Sequence, residues 1–161
     1  MKKLFLKMSF VTFLAMIMTA GIASAQETSE AEKAVMKIVQ KYENTEGVES
    51  VVATKGNGLW LIKKMLTSQF GKDFMKGVTS ITVINYTSAS PETCSEIRKD
   101  IDVFTSMLQE FDAKEEFSDS QFVRIFAAAS ESKTLSDFVI ASEDESAKML
   151  MHMAGNIEVA K

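Results

Sequence analysis

The stretch LSDFVIASEDESAKMLMHMA at residues 135–154 contains the strongest indication of fold class in this chain. Two apolar or alternating runs flank its polar residues 142–146, and a polar linker of this length between β-prone runs is typical of a hairpin loop. The run QFVRIFAAA at 121–129 has the same character, and the polar residues 130–133 follow it. The C-terminal third therefore predicts an antiparallel meander of three strands, or of four strands if residues 112–117 also pair.

Upstream of this meander, helical and strand periods alternate. Ser29 and Glu32 have the spacing of a capping box, and Ser90 followed by Pro91 is typical of a helix start. The expected helices span residues 29–43, 59–70 and 90–110, and the expected strands span residues 48–54 and 81–86, with a loop over residues 72–78. Helices placed before an antiparallel meander indicate the α+β class. We expect three helices interleaved with two strands, then the meander, with the helices packed on one sheet face.

Residues 1–25 have the features of a secretory signal peptide. A basic start is followed by an apolar run, and Ala23-Ser24-Ala25 provides the small residues of a cleavage site, after which Gln26 becomes the N-terminus. No cysteine directly follows this site to accept a lipid, and no later apolar stretch reaches the roughly 20 residues that span a bilayer. We expect a cleaved leader and a single domain over residues 26–161, with no lipid anchor and no membrane span. Its location is then the bacterial periplasm or the exterior.

The charge of the chain limits the class of partner. From Gln26 on, the sequence carries 15 Lys and Arg against 22 Asp and Glu, a net charge of −7. Nucleic-acid binding depends on neutralising phosphates, and Arg98 and Arg124 are the only arginines, so we expect no nucleic-acid partner. A chain of this length buries about 70% of the surface it exposes when unfolded, which is enough for a core without metals or disulfides.

The stretches IVQKYENTEGVESVVATKGNGLWLIKKML at 38–66 and LSDFVIASEDESAKMLMHMAGNI at 135–157 resemble an uncharacterised bacterial family, "domain of unknown function 4252". The shared pattern is a helix leading to a Gly-Val turn and a strand, a second helix rich in Lys and Met or Leu, and a final hairpin ending in Gly-x-Ile. Gly47 and Gly155 occupy the glycine positions here. Members resemble small exported proteins, several of them lipoproteins, whereas this chain lacks the lipid-accepting cysteine. The resemblance implies export and a shared fold, but no activity, substrate or catalytic residue.

Met149, Met151 and Met153 alternate with Leu150 and His152, so a strand places the three thioethers on one face and His152 on the other. Thioethers are soft ligands that suit Cu(I), which makes this face a candidate copper site. The alternative is a strand whose methionines fill gaps in the core, and the wide spacing of sulfurs along a single strand favours it.

His152 is the only histidine, so it limits any enzymatic hypothesis. Ser136 and Asp137 on the neighbouring strand supply the residue types of a Ser-His-Asp hydrolase, but no nucleophile elbow surrounds the serine. We expect Asp137 to face solvent. One histidine and one cysteine also fall short of a zinc site of the His and Cys type. A hydrolase that uses carboxylates with His152 is therefore an alternative, and we expect no cofactor.

Two polar loops carry residue types that are found at ion sites. Glu143-Asp144-Glu145 lacks the alternating ligands of a calcium loop, which favours a solvated hairpin tip. Gly56-Asn57-Gly58, next to Lys55, lacks the spacing of a phosphate-binding loop, which favours a turn before a helix.

Cys94 is the only cysteine, so it forms no internal disulfide. Apolar residues follow it at spacings of three and four, as on one stripe of a helix. The stripe consists of Cys94, Ile97, Ile101, Phe104, Leu108 and Phe111. We expect a buried, unreactive thiol.

Trp60 falls on the side of its helix opposite the apolar residues, beside Lys63 and Lys64. An exposed aromatic side chain with a basic border is typical of an interface anchor. The alternative is that Phe74 and Met75, from the next loop, cover the indole. We take Trp60, Lys63 and Lys64 as candidate contact residues.

These patterns favour a non-enzymatic exported protein that binds another envelope protein or an extracellular component. The alternatives are a periplasmic hydrolase that uses carboxylates with His152, and a copper-binding protein that uses Met149, Met151 and Met153.

Overall fold

A six-stranded antiparallel sheet forms the centre of the part of the chain that the structure, a computed structural model, describes. The described residues are 29–56, 58–111, 123–129, 134–144 and 146–159. The helices are α1 (Glu30–Tyr42), α2 (Leu59–Phe70), α3 (Lys72–Lys76) and α4 (Pro91–Thr105). The strands are β1 (Glu49–Thr54), β2 (Val78–Asn85), β3 (Gln109–Phe111), β4 (Val123–Ala129), β5 (Leu135–Asp144) and β6 (Ala147–Ile157). Across the sheet their order is β1-β2-β6-β5-β4-β3.

The predicted α+β class is confirmed, and most elements lie where the sequence placed them. Two expectations were wrong in detail. The expected loop over 72–78 contains the short helix α3, and the third expected helix ends at Thr105 instead of continuing to residue 110, where the chain has already entered β3. The expected leader with its cleavage site at Ala25 and Gln26, and the optional strand at 112–117, lie outside the described residues.

The two faces of the sheet carry separate apolar clusters, because successive side chains of a strand point to opposite faces. Helices α1 and α4 pack with Ile84 and Leu150 on one face, so the expected packing of helices on a single sheet face holds for these two helices only. Helices α2 and α3 pack with Ile81 and Met151, which belong to the other face. Strands β2 and β6 are therefore covered on both sides, and most of their side chains are buried.

Both long helices that cover the first face begin as their sequences predict. The hydroxyl of Ser90 accepts a hydrogen bond from the backbone N–H of Thr93 at 3.2 Å, and that of Ser29 accepts one from Glu32 at 3.0 Å. The Glu32 carboxylate accepts a hydrogen bond from the Ser80 hydroxyl at 2.8 Å, which ties the first turn of α1 to β2.

A close backbone contact joins the start of β2 to the end of β6. The N–H of Asn156 donates to the carbonyl of Gly77 at 2.9 Å, and Gly155 has a φ of 153°. A β-carbon at Gly155 would lie 2.1 Å from the Gly77 carbonyl oxygen, which is far inside van der Waals contact. Glycine is therefore required here by space as well as by backbone conformation.

Among the described residues, no helix has both the length and the apolar character to cross a membrane.

Candidate functional site

Four polar side chains meet on the sheet face that α1 and α4 cover, and we call them the polar cluster: Ser29, Ser136, Asp137 and His152. The Asp137 carboxylate is at its centre. Its Oδ1 accepts hydrogen bonds from the Ser29 hydroxyl at 2.7 Å and from His152 Nε2 at 2.8 Å, and its Oδ2 accepts one from Ser136 at 2.8 Å. Asp137 is 2% exposed and His152 is fully buried.

Strand pairing brings the histidine and the carboxylate together. Val139 of β5 is directly opposite His152 of β6, so Asp137, two residues before Val139, is its diagonal neighbour on the same face. Ser29 reaches them because it caps α1 on top of this face. The expectation that Asp137 faces solvent was wrong, since β5 is an interior strand of the sheet and α1 covers this position.

Burial of Asp137 favours the neutral acid and by itself raises its pKa. Hydrogen bonds to the ionised form act in the opposite direction, and His152 contributes most, followed by Ser29 and Ser136. Their combined effect prevails, so the pKa of Asp137 lies below its usual value. The structure therefore holds a carboxylate, not a carboxylic acid, between the helix and the sheet.

The geometry of the polar cluster differs from that of a hydrolytic triad, in which the serine bonds to the histidine and the histidine to the acid. Here both serines bond to Asp137. The other ring nitrogen of His152, Nδ1, has no hydrogen-bond partner among the described residues. The Phe104 ring lies edge-on to the imidazole at 6.0 Å between centroids. The arrangement anchors the start of α1 to β5 and β6.

The three methionines lie on the opposite face of β6, so the expected separation from His152 is confirmed. Met149, Met151 and Met153 are 7%, 1% and 0% exposed and pack with the apolar side chains of α2, such as Ile62 and Leu66. Within the described ranges, no group of three or more His, Cys, Asp or Glu is arranged to hold a metal ion. The methionine face is part of the apolar core under α2 and α3.

Trp60 is the most prominent exposed side chain of α2. Its side chain is 70% exposed, whereas Met75 is 1% exposed and packs in the core instead of over the indole. Lys64, one helical turn further on, is also exposed. Lys63 is partly buried, and its Nζ donates to the carbonyls of Lys76 at 3.2 Å and Val78 at 2.9 Å.

The three predicted contact residues therefore have different surroundings. Burial lowers the pKa of Lys63, and its hydrogen bonds hold the end of α3 against α2. Trp60 and Lys64 form the exposed pair.

The remaining candidate residues from the sequence that the structure describes lie in the core or in turns. Cys94 is 1% exposed, as predicted, with its sulfur 3.6 Å from the carbonyl oxygens of Tyr86 and Ala89. At the end of β5, Asp144 Oδ1 accepts hydrogen bonds from the backbone N–H groups of Ser146 and Ala147, which stabilises the turn into β6. Glu145 and Asn57 lie outside the described residues. Gly58, which follows Asn57, has a left-handed conformation and precedes α2.

Sequence reasoning missed Ser29 as a member of the polar cluster. Its capping-box spacing located the start of α1, but the partner carboxylate is 108 residues away, and no local signal connects the two.

Comparison of the chain with protein-family models, with curated proteins and with solved structures yields no significant match.

Proposed function

We propose that the chain is a non-enzymatic binding module, exported to the bacterial periplasm or exterior, whose contact surface is centred on Trp60. The observation that carries this proposal is the 70% exposure of the only Trp in the sequence, on a helix whose other side packs in the core. Exposing the large apolar area of an indole to water is unfavourable in free energy. Contact with a partner removes this area from water. The polar cluster supports the non-enzymatic part of the proposal, because its histidine is fully buried and bonded to a structural carboxylate.

Export is part of the proposal and rests on the leader-like sequence of residues 1–25. Intact mass spectrometry of protein recovered from exporting cells tests it. We expect a chain that begins at Gln26 without a lipid adduct. A mass that includes Met1–Ala25 would contradict the proposed cleavage.

The contact surface can be tested by placing a photoreactive amino acid at position 60 in living cells. Val103 of α4 is the matched control, because it is 71% exposed and its helix packs on the other face of the sheet. We expect adducts, with protein or lipid, from position 60 that do not form from position 103. Equal yields of adducts from the two positions, or no adducts from position 60, would contradict the proposed contact surface.

We retain membership of the "domain of unknown function 4252" family as a separate hypothesis, supported by the glycines and apolar spacing described above.

A further inference from the structure

We propose that the surface recognised by Trp60 is an anionic phospholipid bilayer, on which the protein rests through α2, α3 and Lys55. This inference depends on the proposed function and names its partner. It rests on the juxtaposition of one exposed indole with a concentration of lysines on a protein that is otherwise acidic. We call residues 55, 56 and 58–76 the basic face.

The charge of the chain is strongly asymmetric. Residues 55–76 contain five lysines and one aspartate, a net charge of +4, while the remaining residues from Gln26 on carry 10 basic and 21 acidic side chains. Lys55, Lys64, Lys72 and Lys76 are all exposed. An anionic surface therefore attracts the basic face and repels the rest of the molecule, which orients the protein.

The basic face has the residue composition of a membrane–water interface. Tryptophan prefers the headgroup level of a bilayer, because its ring is apolar and its N–H is polar. Lysines beside it extend their ammonium groups to the phosphates while their stems lie along the apolar boundary. Trp60 and Lys64 are one helical turn apart, so both side chains project from the same side of α2.

A protein partner fits this surface less well. The buried centre of a protein interface consists of several apolar side chains that pack together. The large apolar side chains classed as exposed within the described ranges are Trp60, Val103, Met107, Phe111 and Val159, and only Trp60 belongs to the basic face. A single indole with an exposed lysine one helical turn away lacks such a centre, but it is sufficient to insert into lipid headgroups beside attracted ammonium groups.

Intrinsic fluorescence tests the proposal directly, since Trp60 is the only Trp. The processed protein is titrated with vesicles of equimolar phosphatidylglycerol and phosphatidylcholine, and with vesicles of phosphatidylcholine alone. We expect a blue shift of the emission and protection from acrylamide with the anionic vesicles only. About 1 M salt should reverse both effects, because the Debye length is then only about 3 Å.

Three variants distinguish binding through the basic face from non-specific binding to vesicles. In the double variant W60F/V103W, the fluorophore moves to an equally exposed position on the other side of the sheet, where we expect no blue shift. Lys64→Gln should weaken binding to anionic vesicles about fivefold, which corresponds to about 1 kcal/mol for each cation near the surface. Lys99→Gln removes an exposed cation from α4 and should leave vesicle binding within about twofold.

The proposal is overturned if anionic vesicles leave the Trp60 emission unchanged, or if the W60F/V103W variant shifts as much as the parent protein. Failure of this inference is distinguishable from failure of the proposed function. Protein adducts from a photoreactive group at position 60, together with no vesicle response, would retain the contact surface and replace the lipid by a protein partner.

Discussion

Asp137 is a charged side chain at a position that water barely reaches, and three hydrogen-bond donors stabilise it there. A buried carboxylate is costly unless its oxygens are satisfied. The donors are Ser29 at the start of α1, Ser136 in β5 and His152 in β6. The side chain thus joins the start of α1 to two neighbouring strands, and its contribution to stability depends on its ionisation.

We expect Asp137→Asn to lower the free energy of unfolding by about 2 kcal/mol near neutral pH, because hydrogen bonds to a charged group are lost. The pKa of Asp137 is lower in the folded state than in the unfolded state. Its stabilising effect is therefore fully present above the unfolded pKa of about 3.9 and is lost as pH falls through the folded pKa. Urea unfolding of the parent protein and of Asp137→Asn can be compared from neutral to acidic pH. The difference between their free energies of unfolding should become smaller below about pH 4. A difference that is constant over this range would contradict the assignment.

Met151 and Met107 provide a matched pair for the role of the methionine face. Met151 is 1% exposed and Met107 is 49% exposed. Met151→Ala should cost on the order of 2 to 4 kcal/mol, because it leaves a cavity beneath α2, and Met107→Ala should change stability by less than about 0.5 kcal/mol. Denaturant unfolding measures both changes in stability.

A Cu(I) titration of the protein against a competing chelator should show weak binding. Tight stoichiometric binding that disappears in Met151→Ala would instead establish a copper site.

At the scale of the element, the sequence predicted the structure best where local signals are strong. The bounds of α2 agree with the prediction, since Gly58 and Gly71 flank a continuous helical period. Helix α3 was missed because five residues show too little periodicity to be recognised. Asp137 was assigned to the wrong environment because a polar residue in an alternating run normally faces water, and Ser29, which caps the covering helix, is 108 residues earlier in the sequence. Local pattern predicts an element, but it does not reveal what packs on top of it.

The contact between Gly155 and Gly77 yields a prediction about β6. Gly155→Ala should destabilise the protein by more than about 2 kcal/mol, because the new β-carbon meets the Gly77 backbone in addition to straining the conformation. Gly56→Ala is the control, since Gly56 has a positive φ of 89° but open space around it. It should cost about 1 kcal/mol, which is the conformational part alone. Thermal unfolding of both variants provides the comparison, and equal losses would show that the backbone contact is unimportant.

At the scale of the whole molecule, the sheet has a well-covered centre and a weak edge. Strands β2 and β6 are adjacent and have helices on both sides, whereas all three residues of β3 are exposed at one end of the sheet. The meander predicted from the C-terminal third is present in β4, β5 and β6, but the sequence did not show that β6 also pairs with β2. That pairing joins the two halves of the sheet, and strand order depends on contacts that are distant in sequence.

Amide hydrogen exchange should follow this organisation. We expect the amides of β6 that bond to β2 or β5 to exchange most slowly, at the rate set by global unfolding, because they open only when the sheet separates. The amides of β3 should exchange fastest among the strands, since few buried contacts hold that edge. Protection in β3 equal to that in β6 would show that the edge is covered by something beyond the described residues.

The central position of β6 also affects how the chain acquires its structure. Until residues 147–157 are available, β2 and β5 have no strand between them, so neither half of the sheet can bury its inner side chains. A polypeptide that is synthesised from its N-terminus therefore cannot complete this sheet before β6 emerges from the ribosome. The topology therefore delays completion of the sheet until the residues of β6 are available to pair with β2 on one side and β5 on the other.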